Sequence, residues 1–301
     1  MFDHILIPLD GSSLAECVVP HAVGMVDAFD SRLTLLSVVK DREPYPRLSL
    51  GWRYRRARAT QYLEQLTRRL KEAGIYTDQQ VVQGKAAASI VAYAEAQDVD
   101  LILLSSHGAS GPSHWNISSV VQKVVQHAYR SMMIVRAYQL VPLDLTPVRY
   151  ARLLVPLDGS QRAEQALPVA VALARHHDAD LLLAHVIRPP ELPQRAPSSP
   201  EDYQLAEHLT ARHHQSAIRY LEQLQEQLSP TPTVHIVVNE KVSASLHDLV
   251  EAEEVDMLVA SARGHSSSSR WPHGSITSNL ISYATVPLLV VQDFVPEVRN
   301  I

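Results

Sequence analysis

Ile5-Leu6-Ile7-Pro8-Leu9-Asp10-Gly11-Ser12 returns as Leu153-Leu154-Val155-Pro156-Leu157-Asp158-Gly159-Ser160, 148 residues later. A short apolar run ending in Asp-Gly-Ser reads as a buried strand closed by a turn and a helix N-cap. Two further phrases recur. Tyr62-Leu63-Glu64-Gln65-Leu66 returns at Tyr220-Leu221-Glu222-Gln223-Leu224, and Asp100-Leu101-Ile102-Leu103-Leu104 returns at Asp256-Met257-Leu258-Val259-Ala260. The second of these offsets also pairs Gly108 with Gly264 and Trp115 with Trp271. Such a period far exceeds the roughly 20–50 residues of a solenoid repeat. The chain is a duplicated domain, divided as residues 1–147 and 148–301. Its junction is expected over 141–149, marked by Pro142 and Pro147.

Within the first copy, apolar runs and helical spacing alternate. Strands are expected at His4 to Leu9, Leu33 to Val39, Ile75 to Val82, Leu101 to Ser105 and Met132 to Arg136. Helices are expected at Ser13 to Phe29, Arg55 to Ala73, Ala87 to Gln97 and Ile117 to Tyr129. The second copy follows the same order and ends on a strand at Leu288 to Gln292. Continuous apolar strands separated by helices imply a parallel sheet covered on both faces. The predicted class is α/β: two tandem, open, twisted, five-stranded Rossmann-like domains. Right-handed crossovers place the strand C-termini on one edge, where ligands of such sheets bind. Pro20 and Pro168 fall inside the expected first helices, so each should kink or start late.

Composition removes several alternatives. The 301 residues carry Lys+Arg 27 and Asp+Glu 32, a net charge of −5, which argues against a globally basic nucleic-acid footprint. Hydrophobic residues at 46% can supply ordinary cores. Cys17 is the single cysteine, so no intrachain disulfide forms. No apolar run approaches the ~18 residues of a membrane span, and no signal peptide is apparent; the expected location is the cytoplasm.

The Asp-closed first strand, the strand entering a Gly loop, and Ser at the next helix start together resemble the universal stress protein family. The likeness covers nearly the whole chain, as two copies. Nucleotide-binding members of that family carry Gly, two residues, Gly, nine residues, then Gly-Ser/Thr. Copy two reads Ser261-Ala262-Arg263-Gly264, nine residues, then Gly274-Ser275. Copy one reads Ser105-Ser106-His107-Gly108, nine residues, then Ser118-Ser119. Copy two departs at the first Gly; copy one departs at the first and third. The resemblance implies that Asp10 and Asp158, with backbone at Val38 and Val186, flank adenine. It implies that the Gly loop and helix N-terminus hold ribose and phosphates, with or without Mg2+. Glycine permits close backbone approach, and a helix N-terminus favours anions. Asp10 and Asp158 equally fit a plain role of capping the turn that follows.

Other residues invite weaker readings. His107 and His114 lie in the ligand loop, where phosphate contact competes with an exposed loop role. His176-His177 and His213-His214 do not share a helix face, and no metal-ligand spacing occurs. Ser266 to Ser269 read as a hydrophilic loop. Arg42, Arg47, Arg53, Arg55, Arg56 and Arg58 surround Trp52 and Tyr54 in copy one; copy two has Glu191, Glu201, Asp202 and Glu207 there. An Arg cluster beginning a helix opposes the macrodipole and suits an anionic partner. A solvated charged face is the plainer alternative.

The expected function is binding or sensing of ATP or another adenine nucleotide, coupled to a protein partner, without efficient catalysis. A nucleotide-free interaction protein and a weak ATP hydrolase are the alternatives. The family resemblance also implies an internal pseudo-dimer of the copies, with homodimerisation of the chain compatible with it.

Overall fold

The computed structural model describes residues 1–40, 50–109, 111, 117–137, 143–191, 199–265 and 272–293. Arg42, Arg47, His114, Trp115, Ser266 to Ser269, Trp271 and part of the expected junction lie outside them. Two compact units emerge. One contains Met1–Arg149 and the last strand, Leu288–Val291; the other contains Tyr150–Ser268 and His273–Val286.

The first unit begins with β1 (His4–Pro8), α1 (Ser13–Glu16), α2 (Val19–Phe29) and β2 (Arg32–Val39). It continues with α3 (Leu50–Glu72), β3 (Thr77–Gln83), α4 (Ala86–Ala96), β4 (Leu101–Ser105), α5 (Ser119–His127) and β5 (Ser131–Val135). The strands order as β3-β2-β1-β4-β5, all parallel. The order reverses between β2 and β4 about β1, which makes the end of β1 the switch point.

The second unit repeats the plan. It has β6 (Arg152–Pro156), α6 (Gln161–Glu164), α7 (Leu167–His177), β7 (Asp180–Ile187), α8 (Pro200–Gln227), β8 (Thr233–Val238), α9 (Val242–Ala252), β9 (Met257–Ser261) and α10 (Ser275–Tyr283). Its strands order as β9-β6-β7-β8, again parallel. The remaining strand, β10 (Leu288–Val291), runs antiparallel to β5 in the first unit, pairing Leu288 with Ile134 and Val290 with Met132.

The central strands are buried on both faces, as their unbroken apolar runs require. Ile5, Leu6, Ile7, Leu101, Ile102 and Leu103 are fully buried, as are Leu153, Leu154, Val155, Met257, Leu258 and Val259. A carboxylate pins the opposite end of each sheet. Asp100 accepts from the N–H groups of Asp3 and His4, and Asp256 accepts from those of Ala151 and Arg152.

The expected first helix is two helices in each copy. Ser12 and Ser160 cap short α1 and α6, and new helices begin at Val19 and Leu167. Pro20 and Pro168 thus sit in a first turn, where a missing N–H does no harm. The helix expected from Arg55 begins earlier, at Leu50.

Candidate functional site

Each site starts with the turn that closes the first strand. Gly11 and Gly159 sit at φ +80° and +79°, a left-handed conformation that favours glycine. The turn lets the preceding aspartate fold over its own loop. Asp10 Oδ1 accepts from Ser12 N at 3.0 Å and from Ser12 Oγ at 2.6 Å. Its Oδ2 accepts from Ala109 N, in the loop after β4, at 2.7 Å. Copy two repeats this geometry: Asp158 accepts from Ser160 N, Ser160 Oγ and, at 2.7 Å, His265 N. Each aspartate therefore ties the first loop to the Gly loop. Partial burial pushes the Asp158 carboxyl up; hydrogen bonds from Ser160 and His265 outweigh it and hold the group below the usual carboxylate range.

The loop glycines owe their identity to these carboxylates. A Cβ on Gly108 would stand 2.3 Å from Asp10 Oδ2, and one on Gly264 would stand 2.1 Å from Asp158 Oδ2. Close approach to phosphate was the expected reason; the geometry supplies an internal one. Ser105 and Ser261 also face inward. Ser105 Oγ lies 2.6 Å from His107 O and 2.8 Å from Leu14 O. Ser261 Oγ donates to Arg263 O at 3.0 Å. Serine in place of the family's first Gly thus braces the loop. His107 is buried, its Nδ1 3.1 Å from Ser106 Oγ. Cys17 is half-buried beside this loop, with Sγ 3.6 Å from Ser105 Oγ; burial pushes its thiol up.

The next helix differs between copies. Ser118 caps α5, its Oγ accepting from Val121 N at 3.3 Å. Gly274 caps α10 with no side-chain hydrogen bond. A Cβ at Gly274 would meet nothing closer than 3.8 Å, so the protein's own packing does not demand glycine there. Ser119 and Ser275 are exposed at these helix starts. Thr277, which the sequence reading overlooked, donates from Oγ1 to Ser261 O at 2.9 Å and ties α10 to the end of β9.

The second strand completes the crevice. Leu9 N donates to Leu36 O, and Gly84 N donates to Val39 O. Even-numbered residues of β2 thus turn their peptide groups toward β1 and odd-numbered ones toward β3. Val38 lies two residues past Leu36, beyond the last β1 partner, Pro8. Its N–H and C=O face the gap. Copy two matches: Leu157 N donates to Ala184 O and Asn239 N to Ile187 O, which turns Val186 into the corresponding gap.

Two further side chains border it. The Tyr62 ring lies 4.0 Å from where a Cβ on Gly11 would stand. In copy two the His185 ring takes that place against Gly159, with the Tyr220 ring 6.3 Å away and Tyr220 OH donating to Glu164 at 3.0 Å. Burial pushes the His185 imidazole below its ordinary value, against the pull of Asp158 and Leu157. The recurrence of Tyr62 at Tyr220 was the signal for this contact.

The family model described as the universal stress protein family matches residues 1–136 and again 149–292. A universal stress protein of Methanocaldococcus jannaschii is 24% identical over 142 residues, covering 45% of this chain and 83% of that protein. A putative universal stress protein of Staphylococcus aureus is 27% identical over 152 residues, covering 48% and 90%. The crystal structure of a universal stress protein from Archaeoglobus fulgidus covers 97% of this chain and 99% of its own, with TM-score 0.68 and 17% identity. The matches with the two curated relatives span one copy, and the structural match spans both. The chain belongs to the universal stress protein family, as a tandem of two of its domains.

Proposed function

We propose that this protein binds an adenine nucleotide at the strand edge of each copy and acts as a sensor through a protein partner. The observation that carries the reading is the peptide edge at Val38 and Val186. Each offers one N–H donor and one C=O acceptor into a crevice where the neighbouring strand has ended. Adenine presents the complement, an acceptor ring nitrogen beside an exocyclic amine donor. The Gly loop stands next to that crevice. The start of α10 has N–H groups that no side chain of Gly274 caps, a favourable place for phosphate oxygens.

The reading is of binding rather than turnover. The carboxylate at each crevice already accepts three hydrogen bonds from its own loops. At Asp158 these also lower the pKa, which makes it a weak base. No described helix is long and apolar enough to cross a membrane.

The test begins with protein purified without added nucleotide. It is denatured, and the extract is read by absorbance and mass. ATP, ADP and AMP are then titrated into the full chain by calorimetry. Recovered adenine nucleotide or saturable binding is expected. Absence of both overturns the reading.

A further inference from the structure

The arginine cluster of copy one resolves into residues with different directions. At about 100° per residue, Arg55 lies about 20° around the α3 axis from Tyr62, and Arg58 about 40° to the other side. Arg53 is about 180° away. The two flanks of α3 are fixed by contacts. Tyr62 meets Gly11 at the β1 turn, whereas Thr67 Oγ1 donates to Gln79 of β3 at 3.2 Å. Thr67 lies about 140° from Tyr62. Arg55 and Arg58 therefore stand on the crevice flank, not the β3 flank.

Height follows from the rise of the helix. Arg55 precedes Tyr62 by two turns, about 10 Å along the axis. Tyr62 is level with the turn just past the end of β1, so Arg55 stands beyond the sheet edge, beside the opening. It is half-buried, and its Nε is buried with no hydrogen-bond partner among the described residues. Arg56 is engaged otherwise, 5.4 Å over the Trp52 ring. In copy two, with Tyr220 as the anchor, the same places hold His213 and Ser216. Gln225, five residues past Tyr220 as Thr67 is past Tyr62, donates to Pro232 O ahead of β8, which fixes the same flank.

We propose that Arg55 and Arg58 are specificity-determining residues that make the copy-one site select ligands by the charge of a polyphosphate tail. The inference rests on the nucleotide reading above. Copy one places two permanent cations on the crevice flank of α3, one half-buried and one exposed. Among the described residues, the acids on that side are Asp10, committed to its loops, and Glu16. Copy two replaces the pair by an imidazole and a hydroxyl, so its site lacks that selection.

The test exchanges the two places in the full chain. One variant carries Arg55→His with Arg58→Ser; the other carries His213→Arg with Ser216→Arg. ATP and adenosine are titrated into each by calorimetry. The first variant should bind ATP about tenfold more weakly at one site, and the second about tenfold more tightly, with adenosine unchanged in both. Because the second variant gains affinity, misfolding does not mimic the result. ATP affinities within about twofold of wild type, or adenosine shifting in parallel, would overturn the proposal. Wild-type protein that binds neither ligand would overturn the nucleotide reading itself, a distinct outcome.

Discussion

Gly264 shows how a residue type can be legible while its reason is not. The recurrence of Asp158 and Gly264 at the places of Asp10 and Gly108 was plain in the sequence. Their contact was not, because it joins residues about a hundred positions apart. Gly264 needs no special φ, and only the Asp158 oxygen forbids its Cβ. Gly264→Ala should therefore destabilise the protein by about 1–3 kcal/mol, since the carboxylate must move and release the His265 N–H. In a background of Asp158→Ala the same change should be nearly neutral. Urea denaturation of the four proteins measures the coupling. Equal losses in both backgrounds would show that the aspartate is not the reason for the glycine.

Elements were legible where a local signal marks them. The Asp-Gly-Ser phrases predict a helix N-cap, and Ser12 and Ser160 cap α1 and α6 by accepting from Ala15 N and Ala163 N. The early start of α3 was not legible, because the periodic apolar residues begin only later in the helix. The two helices that follow the Gly loops carry the sharper contrast. Ser118 gives α5 a side-chain cap and Gly274 leaves α10 without one. Gly274→Ser has room for its side chain and should gain a few tenths of a kcal/mol in stability. The same hydroxyl would occupy N–H groups proposed for phosphate, so ATP affinity at copy two should fall while the melting temperature rises slightly. Calorimetry beside thermal melting separates the two effects. Unchanged ATP affinity in a stabilised variant would remove the helix N-terminus from the ligand site.

At the scale of the whole chain, duplication and parallel sheets could be read from three repeated phrases and their alternating elements. The register of the last strand could not. Leu288 to Val291 is an apolar run like any other, and strand pairing is a long-range choice that local pattern does not encode. In the structure β10 closes the β5 side of the first unit. Leu288, Leu289 and Val290 are buried there, and Gln292 N donates to Ser131 Oγ at 3.1 Å. A fragment of residues 1–149 would keep its five parallel strands but lose that cover. Its β5 edge would present Met132, Met133 and Ile134 together with unpaired peptide groups. Such an edge pairs with another chain. The fragment should sediment as a dimer or larger species, and adding a synthetic peptide of residues 286–293 should shift it toward monomer. Sedimentation velocity decides the matter. A stable monomer without the peptide would mean that β10 is dispensable to the first unit, and that the antiparallel pairing with β5 contributes little to holding the chain together.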